Sequence, residues 1–169
     1  MRYFQIIFCI GISLFLFQCE SEKTEQEKIS PEAKEVRQVV LDVFQAMYDN
    51  DSLAVKKCFQ PGAKLYTIFE RNDSTHFREG ELSQFVTAVG SPHEVEWIER
   101  SWDYQVSIDQ GFAQVWCQYA FFAGERFSHC GVDAFHLVNT PTGWKIFSLA
   151  DTRRKEDCIF PTGEFFEPQ

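Results

Sequence analysis

From Glu94 to Arg154 the chain reads as a series of strand-like runs joined by very short turns, and this limits the fold more than any other feature. The runs are "HEVEWIERSWDYQVSIDQ", "GFAQVWCQYAFFAG", "RFSHCGVDAFHLVN" and "GWKIFSLADTRR", with Gly111, Ala123-Gly124 and Pro141-Thr142-Gly143 as turns. Connections this short join antiparallel neighbours, because a parallel crossover needs about a dozen residues or more. A meander of this kind alternates side chains between two faces and must bury one of them against something else.

The upstream sequence supplies the cover. In "SPEAKEVRQVVLDVFQAMYDND", Ser30 is placed to cap a helix, Pro31 occupies its first turn and Glu32 adds an acidic charge there. Val36, Val39, Val40, Val43, Phe44, Met47 and Tyr48 recur at three and four, forming one apolar stripe, and Asp49-Asn50-Asp51 ends it. A second short helix, "DSLAVKKCF", starts at Asp51 or Ser52 and is predicted to stop at Pro61-Gly62. "AKLYTIFE" alternates as a strand, "RNDSTHFREG" reads as a polar turn, and "GELSQFVTAVG" reads as a short helix closed by Gly90. Helices first and a meander after them predict an α+β domain with helices laid across one face of a curved antiparallel sheet. With 169 residues and 18 Phe, one core built largely on rings fits this length.

The N-terminus carries a different signal. Arg2 precedes "YFQIIFCIGISLFLF", an apolar run shorter than a bilayer span and interrupted by Gln5, Gly11 and Ser13, so residues 1–18 read as a signal peptide. "LFLFQCE", with Leu16 three positions before Cys19, resembles the lipobox of bacterial lipoproteins, although Gln18 stands where that family usually has a small residue. The resemblance implies a lipid on Cys19 and an extracytoplasmic, membrane-anchored location, in the periplasm or on the outer membrane of a bacterium. Residues 19–30, including "ESEKTEQEKIS", are polar and charged and are expected to form a flexible tether, leaving residues 31–169 as the domain.

Cleavage before Cys19 removes one of the 16 basic residues and none of the 25 acidic ones, moving the net charge from −9 to −10. Such a chain repels phosphate backbones, and no basic patch with interleaved aromatics offsets this, so a nucleic-acid partner is not expected. Cys58, Cys117, Cys130 and Cys158 remain in the domain, either as disulfides in any of three pairings or as buried thiols. No metal-ligand spacing is present among Cys and His, and no cofactor is implied.

The polar residues of the meander hold the functional question. With Ala123-Gly124 as a two-residue turn, Gln118 faces His129, Trp116 faces Gly131, Gln114 faces Asp133 and Phe112 faces Phe135, all on one mixed face. Val115, Cys117, Tyr119, Phe121 and Cys130 then fall on an apolar opposite face.

Two N-terminal helices, a strand, a short helix and a long meander ending in "GWKI" resemble the nuclear transport factor 2-like superfamily between about Pro31 and Arg154. "GVDAFHLV" followed by "GWKI" is most similar to the subset described as lumazine-binding. The resemblance implies a cone-shaped sheet enclosing a pocket, in a superfamily that includes ketosteroid isomerases, scytalone dehydratase and many non-catalytic binding domains. Asp133 falls on the isomerases' oxyanion-binding aspartate, which turns the mixed face into a pocket wall and implies that Gln114, Trp116, Gln118 and His129 line it. Asp151 and Arg153 fall on pocket positions of the last strand, with Leu149, while Arg154 points elsewhere. The isomerases' general base position falls on Thr67, and their oxyanion tyrosine on Val43 or Phe44. Threonine does not shuttle a proton near neutral pH, so ketosteroid-type isomerisation is not expected.

Three functions follow. One is binding of a small, partly aromatic or anionic molecule, with Arg153 gripping an anion, Asp151 or Asp133 orienting it and Trp116 stacking on a ring. Another is a dehydratase- or cyclase-type enzyme using His129 with Asp151 or Asp133. His129 and Asp133 themselves stand about 13 Å apart by strand rise. The third is an interaction module that forms a homodimer through the sheet's outer face.

Overall fold

In the computed structural model, which describes residues 29–161, the first helix begins where its capping signal lies. Ser30 Oγ accepts a hydrogen bond from the Ala33 amide at 3.1 Å, opening α1, Pro31–Tyr48. Such a cap stabilises by about 1 kcal/mol. Val36, Val40, Val43, Phe44 and Met47 are buried along one stripe, joined by Ala46, while Tyr48 at its end is exposed. Asn50, at φ 55°, turns the chain, and Asp51 Oδ1 accepts from the Leu53 and Ala54 amides to open α2, Ser52–Cys58. The signal-peptide and Cys19 expectations, and the tether up to residue 28, lie outside the described residues.

The remaining elements are β1 (Phe59–Arg71), β2 (Ser74–Glu81), α3 (Leu82–Gly90), β3 (Trp97–Asp109), β4 (Phe112–Ala123), β5 (Arg126–Thr140) and β6 (Gly143–Arg153). They form a six-stranded sheet in the order β2-β1-β6-β5-β4-β3, antiparallel except where β1 lies parallel to β6. The helices cover its concave face, and the core runs from α1 and α2 to Val115, Phe135, Leu137 and Ile146. Among the described residues no helix is long and apolar enough to cross a membrane.

Three expectations are corrected. Helix α2 ends at Cys58, before Pro61-Gly62, which instead falls within an irregularity of β1 where Gly62 adopts φ 79°. "RNDSTHFREG" is mostly a strand: Asn72 and Asp73, both near φ 54°, make a two-residue turn, and β2 pairs along β1. Nearly every β2 side chain is exposed, so no apolar alternation marks it; backbone pairing and the stacking of Phe77 on Tyr66 and His76 on Phe69 hold this charged edge strand.

The third correction bears on the site. The β4–β5 turn is Gly124-Glu125, with Ala123 opposite Arg126, and Gly124 takes φ 60°. One residue later an irregularity at Ser128 places Phe121 opposite His129. Beyond it Tyr119 faces Gly131 and Cys117 faces Asp133. The odd-numbered positions of β4 therefore share a face with His129 and Asp133. Gln114, Trp116 and Gln118 lie on the outer face instead, where Trp116 is 41% exposed and Gln118 Nε2 donates to Asp103.

Candidate functional site

The register aligns four side chains across the concave face: Thr67 of β1, Asp151 of β6, Asp133 of β5 and Cys117 of β4 are consecutive lateral partners. Above this row, α1 and α3 leave a cavity of about 600 Å³. Val43, Phe44 and Met47 of α1, Phe85 and Ala88 of α3, and Trp97, Phe121, Phe135 and Leu149 of the sheet give it apolar walls. Its polar lining includes Thr67, Glu99, His129, Asp133, Asp151 and Arg153, together with Arg78, Glu79, Glu81, Gln84 and Ser128.

Asp151 is the hub. It is 8% exposed and accepts from Thr67 Oγ1 at 2.8 Å, Tyr119 OH at 3.3 Å and Arg153 Nε at 2.5 Å. Tyr119 reaches it because the facing residue is Gly131: a Cβ there would lie 1.8 Å from the Thr152 carbonyl oxygen and 2.9 Å from the Tyr119 ring. The ring beside Gly131 is thus Tyr119, and not the expected Trp116. Tyr119 OH also donates to the Thr152 carbonyl at 2.9 Å, locking the tyrosine to β6.

Asp133 is buried, at 3% exposure, and its Oδ2 has no hydrogen-bond partner. Glu99, from β3, comes up against it, and the two carboxyls interact as donor and acceptor. Burial, and next the adjoining Glu99, push the Asp133 carboxyl well above the usual carboxylate range. Burial also lifts Glu99 to about 7, partly offset by the hydrogen bond with Asp133. Both carboxyls are thus shifted toward their protonated forms, and Glu99 is poised between its two forms near neutral pH.

His129 lines the cavity, but its hydrogen bond runs from Nδ1 to Ser128 Oγ at 3.0 Å, and neither aspartate bonds to it. Burial, with Arg153 second, pushes it down to about 4, so it is neutral at pH 7. It packs edge-on to Tyr119 and tilted on Phe121. The structure thus brings Thr67, His129, Asp133, Asp151 and Arg153 to one cavity and removes Gln114, Trp116 and Gln118 from it. Val43 and Phe44 both line it as well.

Glu99 is the residue that the sequence reading missed. Its one visible signal is that it shares strand parity with Trp97 and Ser101, a carboxylate in line with a ring. Reading it inward requires knowing which parity of β3 faces the helices, and that follows from the β3–β4 register. Of the cysteines, Cys130 and Cys158 form a disulfide, while Cys58 and Cys117 are buried free thiols.

No protein-family model and no curated protein sequence matches this chain. Solved structures do. An NTF2-like protein of unknown function from Shewanella baltica superposes with a TM-score of 0.58 at 12% identity, over 74% of this chain and 95% of that one. A proposed dehydratase of the NTF2-like family from Streptomyces avermitilis gives 0.55 at 15% identity, over 72% and 95%. A proposed scytalone dehydratase from Novosphingobium aromaticivorans gives 0.58 at 10% identity, over 73% and 85%. At such identities the likeness is one of fold.

Proposed function

Starting from the nuclear transport factor 2-like fold that this chain has, we propose that the protein binds a small molecule in the cavity beneath α1 and α3. The observation that carries this is the buried Asp133 Oδ2, a polar atom without a partner on the wall of the cavity. A buried polar atom left unpaired costs about 1–3 kcal/mol, which a ligand group bonded to it recovers. The volume of about 600 Å³ lies in the range of small-molecule sites. The test is fluorescence titration with N-phenyl-1-naphthylamine, a neutral aromatic probe, of the whole chain and of Ala88→Trp, which fills the cavity from α3. Saturable binding by the native chain and its loss in the variant support the reading. No binding, or equal binding by both, refutes it.

A second reading, acid–base catalysis, is favoured by the Glu99–Asp133 pair, in which burial raises both carboxyls and holds Glu99 near 7. For loss of water from a β-hydroxycarbonyl compound, Glu99 would take the proton from carbon. Asp133 would give its proton to the departing hydroxyl, which leaves as water as the new carbon–carbon double bond forms. Transfer of the proton from Glu99 to Asp133 then restores the pair. His129 is the weaker choice of base, since it bonds to Ser128.

The cellular placement is part of the same proposal: a lipid on Cys19 and a tether of residues 19–30 hold the domain on the outer side of a bacterial membrane. The Arg2-led apolar run and the lipobox-like "LFQC" support it, as does the Cys130–Cys158 disulfide, which persists in oxidising compartments. Pairing of two copies through the outer sheet face is the remaining reading of the fold; the exposure of Phe112, Trp116 and Phe147 there supports it.

A further inference from the structure

The cavity opens beside a second, shallower cleft, of about 870 Å³, between the β1–β2 hairpin and the chain that follows β6. The residues common to both hollows are Thr67, Arg78, His129 and Arg153, so every charged group at the junction is a cation. Arg154 and Lys155 line the cleft side, and the cleft's carboxylates, Glu70, Glu156 and Asp157, do not reach into the cavity lining. Of the carboxyls on the cavity side, Glu79 and Glu81 are both paired with Lys64 and Asp151 with Arg153, while Glu99 and Asp133 lie against each other.

These cations are not used up internally. Among the described residues Arg78, Arg154 and Lys155 form no ion pair. Arg153 spends Nε and Nη2 on Asp151, and its Nη1 bonds to no described residue. His129 is neutral, and Arg153, Asp151 and Lys155 all act on it electrostatically.

The wall carrying Arg154 and Lys155 is tied down at both ends to one residue. Arg154 exchanges two backbone hydrogen bonds of 2.9 Å with Cys130, and Cys158 is bonded to the Cys130 sulfur. Residues 155–157 form a small loop between those ties, with Arg154 Nε donating to the Asp157 carbonyl across it.

We propose that this junction is an anion subsite, held in shape by the Cys130–Cys158 disulfide, and that the protein's ligand is a small organic anion: its apolar body enters the cavity and its carboxylate, sulfonate or phosphate stays at the cationic mouth. The ligand class rests on the cavity reading above, and the test separates the two. The probes are 1-anilinonaphthalene-8-sulfonate and N-phenyl-1-naphthylamine, which share one ring system and differ by the sulfonate. The oxidised full chain binds the sulfonate dye about tenfold more tightly at low salt, and added sodium chloride removes that preference. Arg154→Gln/Lys155→Gln, and separately Cys158→Ser, weaken the sulfonate dye about fivefold or more and leave the neutral dye within about twofold, since these residues line only the cleft. Equal affinity of the native chain for both dyes overturns the subsite, as does an unchanged sulfonate affinity in the double variant. Loss of both dyes together in the double variant also overturns it, because the damage then lies in the cavity. An unchanged sulfonate affinity in Cys158→Ser overturns the role of the disulfide. Failure of the neutral dye alone to bind the native chain counts against the cavity reading.

Discussion

Replacing Glu99 by Gln isolates one of two opposing titrations inside the cavity. Folded, Glu99 is held at about 7 by burial, against an ordinary 4.5. Between those values the folded chain keeps a proton that the unfolded chain has released, so stability falls as pH rises through this window. At about 1.4 kcal/mol per pH unit, the interval amounts to at most about 3 kcal/mol by pH 7. His129 works in the other direction: burial and Arg153 lower it from 6.5 to about 4, so the unfolded chain holds the extra proton and stability rises from pH 4 to 6.5. Glu99 and His129 thus oppose each other in the native chain, and Asp133, also raised by burial, adds to the fall. In Glu99→Gln the fall due to Glu99 is gone, and Asp133 keeps the push from burial but loses the part that Glu99 supplies. The variant therefore gains on the native chain by about 2–3 kcal/mol between pH 4.5 and 7.5. Urea unfolding of both chains, followed by tryptophan fluorescence at half-unit pH steps, gives the difference directly, because His129 is common to both and subtracts out. A difference that stays within about 0.5 kcal/mol across that range, or that runs the other way, refutes a buried carboxyl pair at this place.

Gly131→Ala drives a methyl into the Thr152 carbonyl oxygen, 1.8 Å from the new carbon, and is expected to destabilise by about 3 kcal/mol or more in urea unfolding. Reducing Cys130–Cys158, 28 residues apart, lowers stability by about 3–4 kcal/mol from loop entropy, read as the shift in unfolding free energy with dithiothreitol. In the same native chain, mass-mapped maleimide labelling leaves Cys58 and Cys117 unmodified: both are buried, and burial pushes the Cys58 thiol up to about 11. Trp116→Gln, on the outer face, leaves binding of the neutral dye unchanged; a loss of binding would return Trp116 to the cavity. Cys19→Ser abolishes incorporation of labelled palmitate in a bacterial host, and incorporation that persists in the variant removes the lipid anchor.

Local chemistry in the sequence determined most of the elements. The Ser30 cap, the three-and-four spacing of Val36 to Met47 and the Asp51 cap act within a turn or two of chain, so α1 and α2 were legible, and so were the strands whose apolar residues alternate. Strand β2 was not: its side chains touch mostly water, and what makes it a strand is backbone pairing with β1, which leaves no mark on its composition. The site divided in the same way. The superfamily resemblance, and not the local pattern, put Thr67, His129, Asp133, Asp151 and Arg153 on inward positions, and it carried Gln114, Trp116 and Gln118 inward with them, which the register reverses. The one-residue irregularity at Ser128 reverses which parity of β4 faces inward, since side chains alternate with every residue, whereas the turn at Gly124-Glu125 only slides the pairing by two. Only the tertiary structure sets that register, and only it brings Glu99 from β3 against Asp133 on β5. The energy of their contact comes from shared burial under the helices, which no stretch of either strand encodes alone.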